Sequence, residues 1–185
     1  MNYSDIPELG TQQYNNFILS AIDNKEVDFS WRELEELNVI GMSDCAYISI
    51  ENNRFRFPVS FTLQKQIAEK IGANHLTAEL CDQIYEASFI KLPATILAAS
   101  PEMVKLSSAI KFNQLVEVKR AYQSGFIGLV GKVFLEDATN YGLYDPAAPY
   151  TNSRGIKLWQ NIGSRHKSEP NYVDYSQLLM LWKNK

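Results

Sequence analysis

The residues best placed to do chemistry lie near the C-terminal end of the sequence. Asp174 stands in Tyr172-Val-Asp-Tyr-Ser176, and His166 precedes it in Ser164-Arg-His-Lys-Ser168. A carboxylate can orient an imidazole, and an imidazole that titrates near neutrality can transfer a proton or activate water. His166, Asp174 and Tyr175 are therefore the candidate catalytic set. The same residues also have a plain structural reading. Asp174 would cap a loop or accept a tyrosine hydroxyl, and Ser164 to Ser168, with Arg165 and Lys167 flanking the histidine, would be a solvated polar turn. Tyr141, Tyr144 and Tyr150 lie beside prolines and a glycine, where a loop would present their rings to a partner.

Other chemistries are less well supplied. Cys45 and Cys81 lie far apart and form no Cys-x-x-Cys pair. Cys81 falls inside a predicted helix on the face of Ile84 and Tyr85, so core packing is favoured over a nucleophile. With His75 and His166 the only histidines and no metal-ligand spacing, no metal site and no cofactor is expected. Gly125, Gly128 and Gly131-Lys132 do not match a phosphate loop, because Val133 stands where that loop needs Ser or Thr.

Composition narrows the partners. The 185 residues carry 18 basic and 21 acidic side chains, a net charge of −3, which disfavours a nucleic-acid partner held through its phosphates. No apolar run is long enough to span a membrane. The N-terminus, MNYSDIPELGTQQ, lacks the basic and apolar regions of a signal peptide. The expected location is the cytoplasm or a phage particle.

These residues must be positioned by an α+β domain, a mostly antiparallel sheet with helices packed on one side. Residues 1–28 read as an N-terminal helical arm and 29–185 as the single domain. Tyr14, Phe17, Ile18, Ala21 and Ile22 recur at helical spacing after Thr11, and 12–23 is the predicted helix. The stretch DFSWRELEEL fits helix or strand. CAYISI (45–50) and RFRFPV (54–59) alternate as a hairpin closed by Glu51-Asn52-Asn53. Two short helices follow, one stopped by Gly72 and one capped by Thr77. After an apolar connector (91–103), a helix is predicted at about 108–123. Strands are expected at 126–136, 140–145, 157–163 and 172–182, with Gly128 and Gly131 marking a bulge or the close approach of another backbone.

Several segments together resemble a bacterial protein family without an assigned activity. They are Trp31-Arg32-Glu33-Leu34, Phe57-Pro58, QKQIAEKIGANHLTAELCDQIYEAS, Gly128 to Lys132, Asn140-Tyr141-Gly142 and Tyr172 to Ser176. The family carries A-x-x-I-A-D-x-x-G-C-x-L-P-T-x-x-M-V-D-x-I-Y and ends in Y-V-D-Y-S-H-G. The resemblance implies that Lys132, Asn140, Tyr141 and Tyr172 cluster with Asp174 as binding residues, and Arg165 beside His166 is a further binding candidate. Three histidines of the family pattern are replaced here by Leu129, Tyr144 and Gln177. Their loss favours a binding or structural protein, for example a component of a bacteriophage particle or other assembly, with a protein partner or a second copy of itself. The alternative is a hydrolase of a cell-wall or related polar polymer using Asp174 and His166.

Overall fold

A computed structural model gives the fold and describes residues 1–121, 123, 125–159 and 169–185. In chain order the elements are helix α1 (Gln12–Asp23), strands β1 (Val27–Asp28), β2 (Trp31–Leu34) and β3 (Val39–Met42), and the hairpin β4 (Tyr47–Ile50) and β5 (Asn53–Arg56). Helix α2 (Phe61–Ile71), strand β6 (Asn74–His75), helix α3 (Ala78–Ala87) and helix α4 (Leu106–Arg120) follow. The remainder is β7 (Lys132–Phe134), β8 (Asn140–Gly142), β9 (Tyr150–Thr151), β10 (Lys157–Leu158) and β11 (Leu181–Asn184). This is an α+β fold. Among the described residues its strands divide into four small sheets, ordered β1-β4-β5, β2-β3-β11-β6, β7-β8 and β9-β10, and every named pair is antiparallel.

Local sequence accounts for the regular elements. The side chains of Thr11, Ser60 and Thr77 each accept a hydrogen bond from the backbone three residues on, starting α1, α2 and α3. Gly72 ends α2 in the left-handed conformation, at φ 62°. The hairpin turns on Glu51 and Asn52, both with positive φ, the two-residue geometry that suits strand twist. Trp31 to Leu34 is strand, followed by a single 3-10 turn. Residues 1–28 contribute Ile6, Leu9, Tyr14, Ile18 and Ala21 to the same core as Ile48, Phe55 and Leu179, and the Tyr14 hydroxyl donates to the Pro58 carbonyl at 2.9 Å.

The C-terminal segment departs most from periodic expectation. Val173 to Leu181 are all buried, yet only Leu181 belongs to a named strand. The segment instead joins one neighbour after another. Lys132 N–H donates to the Ser176 carbonyl and Leu178 N–H to the Lys132 carbonyl, both at 2.7 Å. Val59 N–H donates to Gln177 and Ala46 N–H to Leu179, before β11 takes its place between β3 and β6. The predicted strand at 126–136 shortens to β7 for the same reason. Gly131 passes so close to this segment that a Cβ there would sit 2.6 Å from the Ser176 carbonyl oxygen.

Removing residues 177–185 should abolish folding. Leu178, Leu179, Met180 and Leu181 are fully buried, and each contributes roughly 1.5–3 kcal/mol, together comparable to the roughly 5–15 kcal/mol stability of a whole domain. The full chain should melt cooperatively by circular dichroism, and the chain ending at Ser176 should show no transition. A cooperative transition in the shortened chain would make the segment an appendage.

Candidate functional site

Asp174 is drawn into the interior rather than left at the edge of a cleft. It is 2% exposed, and Lys132, 3% exposed, reaches it from β7 with Nζ 2.5 Å from Oδ2. The other carboxylate oxygen accepts from the Ser176 backbone N–H at 3.0 Å and from its hydroxyl at 2.9 Å. Asp174 N–H donates to Gln177 Oε1 at 2.7 Å, and Gln177 Nε2 lies 3.4 Å from Asn140 Oδ1. The structure thus brings together Lys132, Asn140 and Asp174, but as a sealed and satisfied network. Of the two structural readings of Asp174 the loop cap is found, through Ser176, and Lys132 stands in place of a tyrosine hydroxyl. The backbone turns back on itself at Asp174 to meet β7, and this carries the carboxylate inward to the lysine.

Tyr175 packs beside that network. Its ring lies 5.5 Å from Phe112, and its oxygen accepts the Leu97 N–H at 2.9 Å, anchoring the apolar connector. Tyr172 is half-buried and lines a separate shallow groove with Glu8, Thr11 and Lys105. His166 and Arg165 lie outside the described residues.

The predicted aromatic contact loop is likewise corrected. Tyr141 and Tyr144 are buried, and both hydroxyls donate to Asp82 Oδ1 at 2.9 Å. Asn152 Nδ2 donates to Asp82 Oδ2 at 2.8 Å. Tyr85 stacks on Tyr144 with ring centroids 4.2 Å apart. Glycine and proline neighbours do mark irregular backbone, but Asp82 on α3 supplies a buried acceptor that pulls the rings into the core. Only Tyr150, 46% exposed, keeps the expected outward position. Burial raises the pKa of both Tyr141 and Tyr144, so these phenols remain donors.

A third charged cluster has no counterpart in the sequence reading. Arg56 is fully buried, with Nε and Nη2 each 2.7 Å from a different oxygen of Asp44 and Nη1 2.6 Å from Glu117 Oε1. Arg120 Nη1 adds a contact to Asp44 at 3.3 Å. Burial opposes the Arg56 charge, but Asp44 and Glu117 outweigh it and hold the guanidinium above its ordinary range. An arginine alternating with Phe55 and Phe57 is the one sequence signal that could have located it. Cys45 and Cys81 are fully buried, and burial pushes the Cys45 thiol up to about 12, so neither sulfur is an activated nucleophile.

Among the described residues no cluster of three or more His, Cys, Asp or Glu side chains is disposed to hold a metal ion. No helix there is long and apolar enough to cross a membrane. The described histidine, His75, has its Nδ1 2.8 Å from Gln64 Nε2. Because an amide nitrogen only donates, Nδ1 accepts and the ring is neutral.

Three outcomes are expected. Asp174→Asn and Lys132→Met should each cost about 3–5 kcal/mol in urea denaturation, because each leaves a charge or its partner buried alone, and the double variant should lose clearly less than the sum. Tyr144→Phe should destabilise by about 1–3 kcal/mol by depriving buried Asp82 of a donor. For His75, burial lowers the pKa, Lys65 acts with it, and Glu136 and Glu69 act against it. The folded state therefore binds this proton less tightly than the unfolded chain. Its contribution to stability is full above the free imidazole value of about 6.5 and is lost as pH falls from there through the lower folded-state value. His75→Gln should flatten the melting temperature between about pH 7 and pH 5.

No family model matches the chain, and comparison with curated proteins and with solved structures finds no match.

Proposed function

We propose that this chain is a binding or structural protein, a component of a larger assembly for which a bacteriophage particle is one setting, and that Asp174 organises its fold. The observation that carries this reading is the Lys132–Asp174 pair, 2.5 Å apart and almost wholly buried. A general acid or base must come within hydrogen-bond reach of the proton that it moves, directly or through one water. Asp174 has both oxygens engaged by Lys132 and Ser176, and the Tyr175 hydroxyl is engaged by Leu97. The apolar side chains that a partner would meet are Phe89 at 78% and Val118 at 75% exposure, and Tyr150 on β9.

The test has an enzymatic arm and an association arm. The purified chain should release no product from peptidoglycan fragments, carboxylic esters or phosphoesters. In sedimentation velocity, Phe89→Ala with Tyr150→Ala should weaken self-association or co-sedimentation with a partner while leaving the melting temperature nearly unchanged. Turnover that disappears in both His166→Ala and Asp174→Asn, with folding intact, would replace this reading with the hydrolase.

A further inference from the structure

The Arg56 cluster does more than fill the interior, because two of the residues it fixes form the wall of an open groove. This groove runs between β5 and α4, has a volume of about 620 Å³, and is lined by Tyr3, Asn53, Arg54, Gln114, Glu117 and Val118 among others. Its size falls in the roughly 300–1,000 Å³ range of small-ligand sites. Glu117 is held by Arg56 Nη1 at 2.6 Å. Asn113, behind it on the same helix, is fixed on both sides of its amide, accepting Arg56 N–H at 2.8 Å and donating to the Arg56 carbonyl at 3.1 Å. On the opposite wall Arg54 has Nη1 3.5 Å from Asp44 and its guanidinium 5.0 Å from the centre of the Tyr47 ring. A fully buried arginine is costly to desolvate and contributes little net stability for that cost. What it does here is set the wall of a groove, the pre-organisation that a binding site needs.

The chemistry of the lining indicates the ligand. Arg54 only donates hydrogen bonds, the Glu117 carboxylate only accepts them, and the Asn53 and Gln114 amides do both. A phosphate or carboxylate offers few donors or none to Glu117 and the amide carbonyls, and Glu117 opposes its charge. A hydroxyl both donates and accepts, and a ring bearing several of them matches this mixture. Tyr3, part-exposed and edge-on to Phe55 at 6.0 Å, and Val118, 75% exposed, provide the apolar surface that the C–H face of such a ring requires. Burial and the nearby Glu51 and Glu117 raise the Tyr3 pKa, so its hydroxyl stays protonated beside the carboxylate.

We propose that the groove between β5 and α4 is a saccharide-binding site, with Arg54, Gln114, Glu117 and Tyr3 as contacts and Arg56 as the positioning residue. The proposal rests on the reading of the chain as a binding protein and names a class of ligand for it, either a free monosaccharide or a unit of a glycan polymer.

The experiment is an NMR titration of the full chain with N-acetylglucosamine, glucose, the linear tetramer of each, and inorganic phosphate, observing protein amides and sugar resonances together. At least one sugar should saturate, with amide shifts confined to residues 53–54 and 113–121. Tighter binding of a tetramer than of its monomer assigns the site to a polymer, and equal binding assigns it to the free sugar. Arg54→Gln and Gln114→Ala should each weaken binding about tenfold, the loss of roughly one hydrogen bond, with the melting temperature unchanged in Gln114→Ala and lowered slightly in Arg54→Gln, which also loses the contact with Asp44. No saturation by any sugar up to about 10 mM, binding indifferent to both variants, or saturation by phosphate at the same amides would overturn the site. The sugar resonances separate this from the broader reading. A bound tetramer that is cleaved keeps the groove and removes the non-catalytic assignment. Absence of both binding and cleavage removes the groove alone.

Discussion

The fold depends on a backbone accounting problem at its C-terminal end. Nine consecutive residues, Val173 to Leu181, are buried, and almost none of them is in a regular strand. Each peptide group there must find a partner away from water or cost about as much as a lost hydrogen bond. The partners come from four directions. Met103 accepts from Tyr175, Lys132 exchanges two bonds with Ser176 and Leu178, Val59 donates to Gln177 and Ala46 donates to Leu179. The segment is the seam along which otherwise separate small sheets are joined, and its regular part, β11, completes the four-stranded sheet between β3 and β6.

The buried charges follow from this irregularity. A fold whose strands are only two to four residues long leaves many loop groups to be held without ladders. Three aspartates act as acceptor hubs. Asp174 gathers Lys132 and Ser176, Asp82 gathers Tyr141, Tyr144 and Asn152, and Asp44 gathers Arg56, Arg120 and the Cys45 N–H. Each is 4% exposed or less and receives several donors. Such networks define a unique arrangement when complete and are costly when one member is lost. This explains why residue types associated with catalysis are numerous here and yet turn inward. It also separates the two roles a buried charge plays in this chain. Asp174 and Asp82 close the interior, whereas the Asp44–Arg56 network extends through Glu117 to a groove wall.

The sequence by itself determined the elements whose signals are local. The caps at Thr11 and Thr77, the stop at Gly72, and the alternation through Ile48, Ile50 and Phe55 depend on neighbours a few residues away, and the structure has each of them. Burial of Leu178 to Leu181 was legible from the apolar run alone. The close backbone approach at Gly131 was legible because only glycine leaves that space. What only the tertiary structure decided were the partners of polar and aromatic side chains. Tyr141 and Tyr144 sit among turn-forming residues, and nothing within several positions announces that Asp82, 59 and 62 residues away, accepts their hydroxyls. Lys132 and Asp174 are separated by 42 residues, and Arg56 and Glu117 by 61. A charge is exposed or buried according to whether a counter-charge reaches it, and that is a property of the folded chain, because the free energy of burying an ion is set by its pairing and not by its sequence neighbours.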